Sequence, residues 1–158
     1  MSEQSNILQP EDYMEPACLL CGEPDGAEPK PQSIPQQRVI RKLDDYMSRH
    51  DYDGAERHLL FWLEEAKLAH DERGELLVRN ELIGHYRKVG NRDAAFEHAE
   101  CALALVEKLE LEGSVSAGTT YVNAATACSA FGENARALGL FEQAKAVYSL
   151  LLFVETKS

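Results

Sequence analysis

One feature narrows the folds open to this chain more than any other: a stripe of apolar and small residues that recurs three times at a nearly constant offset. In residues 82–103, reading LIGHYRKVGNRDAAFEHAECAL, Leu82, Tyr86 and Val89 stand four and three apart and share one face of a helix. Gly90 can take the left-handed conformation that ends a helix, and Asn91 tolerates the turn after it. Beyond the turn, Ala95, Ala99, Ala102, Val106 and Leu109 step by four, three, four and three. Small side chains on such a stripe let a partner helix approach closely. The stretch therefore predicts an antiparallel helical hairpin.

Shifted back by 40 residues, the hairpin sets Tyr86 on Tyr46, Gly90 on His50, Ala95 on Ala55 and Ala99 on Leu59. Shifted forward by 42, it sets Gly90 on Gly132, Ala95 on Ala137, Ala99 on Phe141 and Ala102 on Ala144. The stripe returns as Ala55, Leu59, Trp62, Ala66, Ala69 and as Ala137, Phe141, Ala144, Tyr148, Leu151. Self-similarity at a fixed period marks a stacked-repeat architecture. Six helices are expected, near 36–49, 52–70, 73–89, 92–110, 115–131 and 134–153. They pair into hairpins at about 36–71, 72–111 and 112–154.

With Leu82 at the first-helix leucine, Tyr86 at the tyrosine, Gly90 at the turn and Ala95 and Ala102 at the close-packing alanines, the hairpin resembles the tetratricopeptide repeat. The resemblance implies an all-α fold, a right-handed α-α superhelix of three hairpins over residues 36–158. The family period is about 34 residues, so each hairpin here carries about two extra helical turns. Long-period repeats of this kind are similar to those of kinesin light chains and of bacterial peptide-sensing regulators. Asn80 and Asn123 sit close to first-helix asparagines of those proteins. That likeness points to a signalling or regulatory scaffold acting by docking. Two residues depart from the pattern, Lys42 at the leucine position and Trp62 at a small alanine. The first hairpin is accordingly expected to act as an N-terminal cap, with Trp62 covering the edge of the stack.

Residues 1–35 differ in kind from the rest. All six prolines lie there, and seven acidic groups against one lysine give a net charge of −6. A long helix is excluded, and so few apolar side chains cannot offset the ordering entropy, so a disordered tail is expected. Within it, Cys18-Leu-Leu-Cys21-Gly22 has the spacing of half a zinc site. With no second pair nearby, the readings are a zinc shared between two chains, a redox pair, or two ordinary thiols, the last being the simplest. No resident metal or other cofactor is expected. His98 and Cys101, three apart on one helix, read as a surface histidine beside a packed cysteine, with His58 in the equivalent region of the first copy. Cys128, at the position of Tyr86, reads as a small core hydrophobe.

The net charge of −11 over 158 residues argues against nucleic-acid partners and anionic membrane surfaces. No unbroken run approaches the roughly 18 apolar residues of a membrane span, and the start of the chain lacks a signal-peptide pattern. A soluble cytoplasmic protein is expected. No phosphate-binding loop, dinucleotide turn, metalloprotease pair or nucleophile elbow is present, so a non-enzyme is expected.

What the resemblance implies about a site is the concave face lined by the first helix of each hairpin. Carried over one position at a time, it holds Arg41, Asp44, Asn80, Arg87, Thr119, Asn123 and Thr126. Asparagine amides both donate to and accept from a peptide backbone, and the arginines can clamp a carboxylate. The plainer alternative makes these residues solvated helix faces. The lysine-and-asparagine clamp of chaperone-binding members is not recognisable. The expected function is a scaffold that binds a partner protein or peptide in this groove. Replacing Asn80 and Asn123 with Ala should then weaken binding and leave folding intact.

A repeat array generally ends in a helix with a polar outer face. Here residues 147–154, VYSLLLFV, are the most apolar stretch of the chain. Leu150, Leu151, Leu152, Phe153 and Val154 are therefore expected to mediate self-association into a homodimer, as the alternative function. The other readings are a covering partner, or a shortened relative of a longer array.

Overall fold

The computed structural model describes residues 33–156; the N-terminal tail with Cys18 and Cys21 lies outside the described residues. The protein is all-α. Its helices are α1 (Gln36–Ser48), α2 (Tyr52–Leu68), α3 (Glu72–Val89), α4 (Arg92–Lys108), α5 (Val115–Ala130) and α6 (Asn134–Glu155). Every boundary falls within two residues of the expected one.

The helices end alike for a local reason. His50, His70, Gly90, Glu110 and Gly132 have φ between 52° and 84°, and they stand 20, 20, 20 and 22 residues apart. Each is the left-handed residue of a Schellman turn. The amide after it reaches back six residues inclusive, as in Asp51 N to Tyr46 O, Asp71 N to Ala66 O and Asn91 N to Tyr86 O. Leu111 N to Val106 O and Glu133 N to Cys128 O complete the set. The offsets of 40 and 42 in the sequence are these turns taken two at a time. Glycine serves only two of the five. The others place an ordinary L-residue where a Cβ is disfavoured, which is why glycine alone did not reveal them. Capping follows at once: Asp51, Asp71, Asn91 and Ser114 accept from Gly54 N, Gly74 N, Ala94 N and Ala117 N.

Two compact units divide the chain, the first ending at Glu75 and the second beginning at Leu76. In the first, α1 packs on α2 through Val39, Leu43 and Tyr46 against Ala55, Leu59, Trp62, Leu63 and Ala66. Leu43 supplies the apolar side chain expected at Lys42, one residue along, and Lys42 lies half-buried above the Tyr46 ring. Trp62 is an interior residue of this unit, 3% exposed, with the Arg38 guanidinium over its ring. Asp71 also straps the start of the unit. Its Oδ2 accepts from Ile34 N at 2.9 Å while its Oδ1 caps α3, and Ile34 Cγ1 fills the space a Cβ on Gly74 would need.

In the second unit α5 packs against both α4 and α6. It can do so because its buried face is mostly small: Ala117, Gly118, Thr120, Ala124, Ala125, Ala127 and Cys128, with Tyr121 the one large side chain. The Tyr148 ring of α6 lies where a Cβ on Gly118 would stand. Cys128 fills core volume as expected, 1% exposed, and burial pushes its thiol up, away from the reactive thiolate.

Two expectations about α6 are corrected. Its stripe was expected to bury Phe141 and Tyr148, but it packs on Ala137, Leu140, Ala144 and Val147, leaving Phe141 and Tyr148 partly exposed. The search for an unbroken apolar run also underrated it. At 22 residues with few charges, α6 is long and apolar enough to cross a membrane by length and composition. One such helix is weak evidence of a membrane span, and its inner stripe is committed to this unit's core.

Candidate functional site

The polar residues carried onto the groove fall into both units. Arg41 and Asp44 are exposed on α1 of the first. The remainder belong to α3 and α5 of the second. Asn80 and Arg87 stand seven apart on α3, while Thr119, Asn123 and Thr126 step by four and three on α5, so each set shares one helix face. The two faces meet at the asparagines. Asn123 Nδ2 donates to Asn80 Oδ1 at 3.0 Å, and Asn80 Nδ2 donates to Thr120 Oγ1 at 2.9 Å and to Leu76 O at 3.1 Å. Thr120 Oγ1 in turn donates to Ser116 O at 2.8 Å.

This network sorts the expected ligand contacts. Asn80 is 9% exposed, and both amide hydrogens and the carbonyl of its side chain are engaged. It therefore acts as an anchor between helices. Asn123 is partly exposed, and among the described residues its carboxamide bonds only Asn80. Its oxygen and second N–H stay available at the surface. Thr126 is partly exposed, its hydroxyl donating to Val122 O, while Thr119 and Arg87 are exposed. Arg87 also lies in the last turn of α3, where a cation complements the helix dipole. Thr120, fully buried, is the network member the sequence reading passed over for its neighbour Thr119.

A second cluster was also missed. His98 was expected at the surface, but it is 7% exposed and stacks on Tyr86 with ring centroids 5.6 Å apart. Its Nδ1 accepts from Arg79 Nη1 at 3.0 Å, and Arg79 is itself buried. The first unit repeats the arrangement 40 residues earlier: His58 is fully buried against Tyr46, with its Nε2 2.8 Å from Val39 O. The signal lay in the sequence as a Tyr and a His twelve apart, twice, at the repeat offset. These histidines are core residues, which corrects the surface reading.

Burial first, and then the Arg79 guanidinium, hold the His98 imidazole below its usual value of 6.5; Glu97 opposes them. Below that usual value the unfolded chain binds a proton that folded His98 resists. Its contribution to stability is therefore full above about pH 6.5 and is lost as the pH falls toward the lowered folded value. The urea midpoint should drop more steeply on mild acidification in the wild type than in His98→Gln; parallel curves for the two would refute this.

The decisive observation is a family match. The tetratricopeptide repeat model matches residues 72–149, from the first residue of α3 into α6. Over this stretch the chain belongs to the tetratricopeptide repeat family. No curated protein and no solved structure matches the chain. Tetratricopeptide repeats are in general protein–protein interaction scaffolds and typically non-catalytic. The match contains the Asn80–Thr120–Asn123 network and every expected groove residue of the second unit. The hairpin of α1 and α2 lies outside it.

Proposed function

We propose that the faces of α3 and α5 hold an extended peptide segment of a partner protein, with Asn123 as the central contact. What supports this is a surface carboxamide pinned by a buried one. Asn80 fixes the orientation of Asn123, so little side-chain freedom is lost when a peptide backbone binds it. Thr119 and Thr126 extend the polar line along α5, and Arg87 offers paired donors to a carboxylate. Arg41 and Asp44, exposed on α1, offer polar groups of the same kinds within the first unit. The protein acts as a non-catalytic cytoplasmic scaffold without a cofactor.

Peptide-display selection on the full chain tests this. Selected peptides are expected to lose about tenfold in affinity on Asn123→Ala, the scale of one or two lost hydrogen bonds. Melting temperature should stay close to that of the wild type. Selected peptides that bind Asn123→Ala and Arg87→Ala as tightly as the wild type would overturn the groove.

A second reading is favoured by one observation. Leu150, Leu152, Phe153 and Val154 are 55–63% exposed, while Leu151 turns partly inward. This end of α6 serves self-association. Zinc-linked pairing through Cys18 and Cys21 falls outside the described residues.

A further inference from the structure

Seven of the eleven large apolar side chains exposed among the described residues lie on α6. Their order is as telling as their number. Leu138, Phe141, Lys145, Tyr148 and Leu152 step by three, four, three and four, the heptad spacing with which one helix presents a seam to another. The chain itself shows what becomes of such a seam when it is covered. Ala99 and Val106, 42 residues before Phe141 and Tyr148, are each 1% exposed in α4, on which α5 packs. Phe96, 42 residues before Leu138, meets the Phe131 ring at the end of α5. In α6 the corresponding side chains Leu138, Phe141 and Tyr148 are 62%, 41% and 37% exposed.

Charge and area indicate what covers α6. The chain carries a net charge of −11, which drives copies apart, yet α6 holds two acidic and two basic residues and is neutral. With large side chains taken at about 200 Å² each, the four on the seam, Leu138, Phe141, Tyr148 and Leu152, present roughly 400 Å² of exposed apolar surface. That is about half of the roughly 800 Å² each partner contributes to a stable interface, near the apolar share such an interface carries. A twofold pair uses the same patch on both copies, and no other described helix exposes more than two large apolar side chains.

We propose that two copies of this chain pair through α6, laid antiparallel about a twofold axis near Gln143. The proposal rests on the self-association reading above and moves its centre from Leu150–Val154 to the heptad seam. The axis sets Leu138 opposite Tyr148 of the second copy. It also sets Lys145 opposite Phe141 and beside Glu142, twice by symmetry. Lys145 marks the register, as a lone polar residue does in a helical seam. None of the proposed groove residues lies on α6, so pairing leaves both copies able to hold a ligand.

Sedimentation of the full chain across a wide concentration range tests this. A reversible dimer is expected, weakened about thirtyfold or more by Leu138→Glu and about tenfold by Lys145→Glu or by Glu142→Lys. All three side chains are exposed, so helicity should be unchanged. Mixing Lys145→Glu with Glu142→Lys is expected to restore pairing as a heterodimer, which a merely structural role would not produce. A dimer indifferent to these variants but lost on Leu150→Ser with Phe153→Ser overturns the seam while the self-association reading stands. A chain that is monomeric throughout overturns both, and so does a monomer that co-sediments with phosphatidylcholine vesicles, which would assign α6 to a membrane surface.

Discussion

Trp62→Ala is expected to destabilise the first unit by about 3–5 kcal/mol, the range for deleting a buried large aromatic side chain. The indole sits at the centre of the α1–α2 core, 3% exposed, with Phe61 edge-on at 5.1 Å and the Arg38 guanidinium 5.7 Å from its ring centre. Whole domains are stable by only about 5–15 kcal/mol, so much of this unit's margin would be lost. Circular dichroism during urea unfolding checks the effect, since the variant has no tryptophan left to report by fluorescence. Trp62→Phe should cost much less. The indole N–H is buried without an acceptor among the described residues, so its removal forfeits no hydrogen bond. A Trp62→Ala variant within about 1 kcal/mol of wild type would show that the indole does not build the core.

Asn80→Leu should cost about 1–3 kcal/mol, the penalty for leaving buried polar partners unmatched. The substitution strips Thr120 Oγ1 of one partner and releases the Asn123 carboxamide from its anchor. Affinity for a selected peptide should fall as well, because Asn123 is then free to rotate. Ala at Asn123 is therefore expected to leave folding intact, whereas Ala at Asn80 is expected to destabilise the fold. The two residue positions looked equivalent in sequence, and burial separates them: Asn80 is an anchor between helices and Asn123 is partly exposed. An Asn80→Leu protein with wild-type stability and reduced binding would instead make Asn80 a direct ligand contact.

The sequence by itself determined the helices, their ends and their offsets, because all three depend on interactions a few residues long. Caps at Asp51, Asn91 and Ser114, the glycines at 90 and 132, and the alternation of apolar steps are each complete within one turn of chain. Tertiary structure alone decided burial, because burial depends on what lies across from a residue. Asn80 is held by partners 40 and 43 residues away, and His98 by one 19 residues away. Phe141 and Tyr148 carry the pattern that buries Ala99 and Val106, yet they stay 41% and 37% exposed, Tyr148 being covered on one side only by α5 at Gly118. The left-handed turns at His50, His70 and Glu110 were hidden for a related reason. Once the packing of two helices sets where they must end, it can hold an ordinary residue in a conformation that its own preferences oppose.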